Sequence, residues 1–239
     1  MKVVEVLLPL FSNIYADLYN VEYLSKCNKK IKIVYTNYGD VPHFVNNKVD
    51  MIYMGSMPDS KIIPAIEYLK PYKDTLKQMI EDNVVFLLTG NSLEIFSSYI
   101  IENGEKKEGL NLFDYYIDKN LNARNTSWYL GSFGRMKIIG HRNQCSKCLN
   151  NDHRFLKTIG GLGSDLIEKS DEGIKYKNFH ATYLLGPIFI LNPKFTMYIL
   201  ELLKLDTKLI HEKEITQAYK KRLEYFQKPD ARFVMSDHG

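Results

Sequence analysis

The chain has 239 residues, 45% hydrophobic and 25% charged, enough apolar material for a sizeable core in one large domain or two small ones. Thirty-two Lys and Arg against 28 Asp and Glu leave a formal net charge of +4, scattered along the chain, which is too small an excess to argue for nucleic acid. No stretch approaches the roughly 18 apolar residues of a membrane span, and Met1-Lys2-Val3-Val4-Glu5-Val6 carries charge where a signal peptide would be apolar, so a cytoplasmic protein is expected.

Short apolar, β-branched runs alternate with longer helical patterns through the first hundred residues, the signature of repeated βαβ units and a parallel sheet. Val3 to Leu8 reads as the first strand. After Asp17, the residues Leu18, Val21, Tyr23 and Leu24 recur at helical spacing, and Ile31 to Tyr35 and Val49 to Met54 resume the strand pattern. Ser60 to Glu81 reads as helix, interrupted near Pro71 because proline cannot donate to the helical ladder. The run Val84-Val85-Phe86-Leu87-Leu88 reads as a buried central strand, followed by Thr89-Gly90 and a helix from about Asn91 to Ile101. Ligands of doubly wound sheets sit at the carboxyl ends of such strands, so Thr89 is where chemistry is to be sought. Beyond it come short strands near Leu112 to Tyr116, Tyr129 to Ile139 and Ala181 to Leu185, then helices over Pro193 to Leu203 and Leu209 to Gln227. No internal repeat or linker divides the chain, which predicts a single domain over residues 1–239.

Several fragments, in order along nearly the whole chain, resemble class I glutamine amidotransferases of the cobyric acid synthase type, above all the glutaminase subunit of lipid II isoglutaminyl synthase. Asn13-Ile14-Tyr15-Ala16-Asp17 with Asn20 resembles the family's Asn-Ile-Tyr-Gly-Asp and its trailing asparagine, and Gly55-Ser56-Met57-Pro58-Asp59 its Gly-Gly-Gly-x-Asp loop. Leu88 to Glu94 falls where the family has Ile-Cys-Gly-Gly-Tyr-Gln, the nucleophile elbow. Gly109 to Asp114, Ile139 to Asn143, Tyr176-Lys177-Asn178, Thr182 to Pro187 and Asn192-Pro193 resemble further family segments. The resemblance implies a three-layer α/β fold of the flavodoxin-like type, a mostly parallel sheet with helices on both faces.

In that family a thiolate at the strand-to-helix turn attacks the amide carbon of glutamine, and a histidine from a Thr-Tyr-Leu-His-Gly-Pro strand carries the proton. Here the resemblance puts Thr89 at the nucleophile position and Leu185 at the histidine position. A threonine hydroxyl is not ionised at pH 7 without a base, and leucine cannot be one. Gly55, Ser56, Gly90 and Asn91 occupy the substrate-facing loops, with Ser56 filling a place where the family keeps glycine. Arg124 lies at the separation from Thr89 at which the family anchors the α-carboxylate of glutamine, a task suited to a bidentate guanidinium.

His141, Cys145, Cys148 and His153 have the residue types and close spacing of a zinc site, although only Cys-x2-Cys is a usual ligand spacing; a polar loop with two reduced thiols is the favoured account of the run, and no metal is expected. Three cysteines give no support to a disulfide framework. Ser92 as a displaced nucleophile would be rotated into the helix, and His180, five residues before Leu185, would face the opposite side of its strand. Twenty-nine Tyr and Phe are core and surface packing here, since no basic groove accompanies them. The expectation is a glutaminase-like protein without glutaminase activity and without a cofactor. It would bind a Mur-ligase-like or other synthetase partner of peptidoglycan chemistry, or bind glutamine as a signal. Two alternatives stay open, an active amidotransferase supplying ammonia to a cell-wall or cobyrinate-type substrate and a zinc-binding interaction module.

Overall fold

The apolar runs of the first half form parallel strands joined by amphipathic helices. In the computed structural model, which describes residues 1–228 and 230–234, the order is β1 (Lys2–Leu7), α1 (Tyr19–Cys27), β2 (Ile31–Thr36), α2 (His43–Asn46), β3 (Met51–Met54), α3 (Ile62–Leu69), α4 (Lys73–Glu81) and β4 (Val85–Thr89). Then follow β5 (Tyr99–Glu102), β6 (Glu105–Glu108), β7 (Tyr116–Lys119), β8 (Asn125–Phe133), β9 (Met136–Gln144), β10 (Ser146–Leu149), β11 (Arg154–Gly160), β12 (Glu172–Tyr176) and β13 (Phe179–Thr182). Three helices close the chain, α5 (Ile188–Leu191), α6 (Pro193–Leu202) and α7 (Glu212–Phe226).

The main sheet has nine strands in the order β2-β1-β3-β4-β13-β12-β11-β8-β9. From β2 to β13 every pairing is parallel, and from β13 to β9 every pairing is antiparallel. Alternation along the strands divides the core between the two faces. Ile52, Met54, Phe86 and Leu88 pack with Ile62, Leu69 and Leu76 of α3 and α4. Met51, Tyr53, Val85 and Leu87 pack on the opposite face with Leu24 of α1 and Ile199 of α6. Each such buried side chain contributes roughly 1.5–3 kcal/mol, and the two faces together hold the carboxyl ends of β1, β3, β4 and β13 side by side.

Two sequence expectations are corrected. The helix expected from Asn91 to Ile101 does not form; Gly90–Phe96 is a run of 3-10 turns, and the chain enters β5 instead. Its side chains bond backbone groups outside any helix: Ser92 Oγ donates to Met54 O and Thr89 O, and Asn91 spans Met57 N and O. The expected strand from Tyr129 to Ile139 is the hairpin β8–β9, which turns at Gly134 with φ +56°. The sheet is parallel over only part of its width, and a second sheet of four strands, β10-β7-β5-β6, packs beside the elbow.

Candidate functional site

At the carboxyl end of β4, Thr89 is still extended (φ −121°, ψ 149°), and the sharp turn falls on Gly90, whose φ is +63°. Gly90 lines a cavity of about 330 Å³ together with Tyr15, Ser56, Asn91, Glu94, Arg124, Cys145 and Leu185. Thr89 does not line it: the residue has no exposed surface, and its hydroxyl lies 3.1 Å from Asp17 Oδ1 and 3.0 Å from Tyr53 Oη. The sequence reading put Thr89 at the reacting position; the residue of this turn that faces the cavity is Gly90, one step later. A Cβ on Gly90 would stand 2.5 Å from both Cβ and Oγ of Ser56 and 3.0 Å from Leu185 Cδ2. Leu185 is fixed there by its own N–H, which donates to His141 O at 3.0 Å.

Beneath the cavity, Asp17 ties the surrounding loops together. Its Oδ2 accepts from Ser56 N at 2.9 Å, its Oδ1 from Thr89 Oγ1, and its carbonyl from Tyr53 Oη at 2.8 Å. Burial pushes the Asp17 carboxyl up to about 7, against the hydrogen bonds from Ser56, Thr89 and Gly186. Gly55, expected to face substrate, is used differently: a Cβ there would collide with the Ser12 carbonyl and lie 2.6 Å from Asp17 Cβ, so glycine is required for this close packing. Tyr15 and Ala16 both have left-handed backbones, φ +62° and +60°, and the first of them brings a side chain to the cavity.

One wall of the cavity is a chain of alternating charges. Glu94 Oε2 faces Lys119 Nζ at 2.6 Å, a charge contact whose angle falls outside hydrogen-bond geometry. Lys119 Nζ donates to Asp59 Oδ1 at 3.1 Å, and Arg124 Nη2 donates to Asp59 Oδ2 at 2.8 Å. Burial alone would lower the Lys119 ammonium, but Glu94 and Asp59 outweigh it and push it up. Burial likewise would raise Asp59, yet Lys119 and Arg124 hold it below the usual carboxylate range. Cys145 closes this wall, its Sγ 3.7 Å from Arg124 Nη2 and 3.9 Å from Asp59 Oδ1, and burial pushes the thiol up, with Asp59 adding to it. Among the described residues no imidazole lines the cavity.

The four residues of the zinc expectation do not converge. His141 packs edge-on to Tyr15 and Trp128, Cys148 is buried in the core, and His153 packs on Phe113 and Tyr176. Among the described residues no group of three or more His, Cys, Asp or Glu could hold a metal ion. His180 is enclosed on the far face, bonded to Asn178 O and Tyr198 Oη, and Ser92 is fully buried. Of the substrate-facing expectations, Ser56, Gly90, Asn91 and Arg124 do share the cavity. Lys119 was missed, although its place two residues after Ile117, on the buried side of β7, was a readable signal.

No family model matches the chain. It is 29% identical over 192 residues, 79% of each chain, to subunit GatD of the glutamine-hydrolyzing lipid II isoglutaminyl synthase of Staphylococcus aureus (strain N315). It is 25% identical over 154 residues to the same subunit of Streptococcus pneumoniae (strain ATCC BAA-255 / R6), covering 62% of this chain and 59% of that one. Two crystal structures of glutamine amidotransferases superpose on it at 11% identity. One gives a TM-score of 0.57 over 84% of this chain and 99% of the other, and the second, from Thermotoga maritima, 0.50 over 93% and 94%. The fold is that of the class I glutamine amidotransferases. Within this amidotransferase fold the cavity opens at the carboxyl ends of the parallel strands. No helix among the described residues is long and apolar enough to cross a membrane.

Proposed function

We propose that the chain is a glutaminase-like subunit that no longer hydrolyses glutamine and acts as a binding or regulatory partner of an amide-forming synthetase, of Mur-ligase type in peptidoglycan chemistry. One observation carries this reading: Gly90 and Leu185 face each other where a thiol and an imidazole would have to meet. In Cys-Gly-Gly-Tyr-Gln the glutamine follows the cysteine by four residues, and Glu94 follows Gly90 by four, so the nucleophile position is Gly90 and not Thr89. Glycine offers no nucleophile and leucine no base. The likeness to a subunit of a lipid II isoglutaminyl synthase supports the synthetase partner.

A second reading, an active amidotransferase, has one contact in its favour. Asp17 sits within hydrogen-bond reach of Thr89 and titrates near neutrality, as a base for that hydroxyl would. Against it, Thr89 is sealed from the cavity, so no amide carbon can approach the oxygen. Glutamate release from glutamine, measured on the purified chain with and without a Mur-ligase-like synthetase, separates the two. Release at an ordinary enzymatic rate that disappears in Thr89→Ala would overturn the first reading.

A further inference from the structure

The outer strand of a sheet has backbone N–H and C=O groups without a neighbour, and it recruits a further strand unless something blunts it. Among the described residues, three of the four sheet edges are blunted. On β9, Tyr219 Oη donates to Lys137 O, Asn192 bonds both Ile139 N and Ile139 O, and Leu185 N donates to His141 O. On β10, Gln144 Nε2 donates to Ser146 O and Cys148 N donates to Ser164 O. β6 reads Glu105-Lys106-Lys107-Glu108, an unbroken run of charge. The fourth edge, β2, pairs with β1 alone and reads Ile31-Lys32-Ile33-Val34-Tyr35-Thr36, with one charge, no proline and mostly β-branched side chains. Leu8 N reaches Thr36 O and Lys2 N reaches Lys30 O, so the even-numbered residues of β2 face β1, and Ile31, Ile33 and Tyr35 turn their backbone outward. Asn28 O takes Ile31 N, but among the described residues no strand and no loop group bonds the outward side of Ile33 or Tyr35.

We infer that β2 is the contact strand of a two-fold homodimer, in which the open edges of two copies pair antiparallel about Ile33 and the two main sheets become one. The strand's own pattern selects a second copy as the occupant. In an antiparallel ladder outward residues must meet outward residues, so the two-fold axis passes through a residue and not between two. An axis at Ile33 engages all three outward residues. Ile33 then meets its own copy, and Tyr35, 49% exposed, covers Ile31 of the partner, an aromatic on a β-branched side chain. Ile31 and Ile33 belong to the apolar cluster that holds Val21 and Leu24 of α1, so the contact extends that core across the axis. On the reverse face Lys32 lies opposite Val34 of the partner, whereas an axis at Lys32 would set two ammonium groups face to face. A foreign strand could satisfy the same backbone groups, but a copy of β2 makes each of these side-chain matches twice. Because the paired strands run oppositely, the two cavities open at opposite ends of the joined sheet, and neither is covered.

The test is sedimentation of the full chain over a range of concentrations, where a reversible dimer is expected. Val34→Glu places a carboxylate opposite Lys32 of the partner at two points and should tighten association at least threefold. Val34→Lys places an ammonium there and should weaken it at least tenfold, both variants being compared at equal folded fraction. A chain that stays monomeric at every concentration overturns the inference, and so does a dimer that both variants weaken alike or that neither changes. Should either variant fail to fold, amide exchange of the wild type decides. The Ile33 and Tyr35 amides should slow at least tenfold between protein well below and well above the dissociation constant, and a dimer in which they exchange as fast as in the monomer refutes pairing through β2.

Discussion

Gly90 and Leu185 meet across the elbow of the fold, with only 3.0 Å between Leu185 Cδ2 and the point where a Cβ on residue 90 would stand. Ser56 closes on the same point from the other side at 2.5 Å. The elbow therefore leaves little room for a side chain on residue 90. Restoring a thiol and an imidazole by Gly90→Cys/Leu185→His is expected to give no glutamate release, because the new side chain collides with Ser56. Adding Ser56→Gly, the residue that the family's Gly-Gly-Gly loop resembles, is expected to give release above the wild-type background. Equal release with and without Ser56→Gly, in protein of equal folded fraction, would show that crowding plays no part.

Thr89 serves the structure. Its hydroxyl joins Asp17 and Tyr53 in a fully buried network, so Thr89→Val is expected to lose about 1–3 kcal/mol of stability by leaving a buried partner unsatisfied. Urea denaturation measures the loss. The same variant should leave probe binding in the cavity unchanged, because Thr89 does not line it.

Asp17 and His180 pull stability in opposite directions with pH. Burial raises Asp17 from 3.8 to about 7, so between those values the folded chain keeps a proton that the unfolded chain has released, and stability falls as pH rises. Burial lowers His180 from 6.5 to about 4, helped by Lys175, so in that window the unfolded chain holds the extra proton and stability rises with pH. From about pH 4 to 6.5 the two slopes cancel. Asp17→Asn should tilt the stability curve upward by about 1.4 kcal/mol per pH unit relative to wild type, and His180→Gln downward by a similar amount. Denaturation midpoints followed across that range check both signs, and curves parallel to wild type would refute the opposition.

Behind the cavity, Arg142 and Glu172 form an ion pair with no exposed surface on either side chain. Glu172 also accepts from Thr182 Oγ1 and Tyr183 N, both at 2.7 Å, and so holds the segment that leads to Leu185. Glu172→Gln leaves a buried guanidinium without its counter-charge and is expected to cost about 3–5 kcal/mol. Combining it with Arg142→Met should recover part of that cost, since the stranded charge goes with it. A single variant that unfolds at the wild-type urea concentration would contradict this.

The parallel half was legible because strands buried on both faces are written as unbroken apolar runs, as Val84 to Leu88 is. The segment after Gly90 was not, because Asn91 and Ser92 spend their side chains on distant backbone groups, a choice that helical spacing does not encode. Pattern fragments put Ser56, Asn91, Arg124 and Leu185 around one cavity, and the elbow residue that lines it is Gly90, next to Thr89. A left-handed φ is a property of the backbone, and adjacent Thr89 and Gly90 differ in that respect without announcing it. The Asp59–Lys119–Glu94 chain was out of reach for another reason. Lys119 arrives from the second sheet, where its register is set by pairing with Ser146, and such long-range pairing leaves no local trace.

The pairing of β4 with β13, Phe86 opposite Phe179 and Thr89 opposite Thr182, joins two segments made far apart in time during synthesis. A nascent chain must carry Val85–Thr89 as a naked apolar edge until Phe179–Thr182 has left the ribosome, which exposes it to aggregation in the interval. Truncation anywhere between the two strands would make that interval permanent.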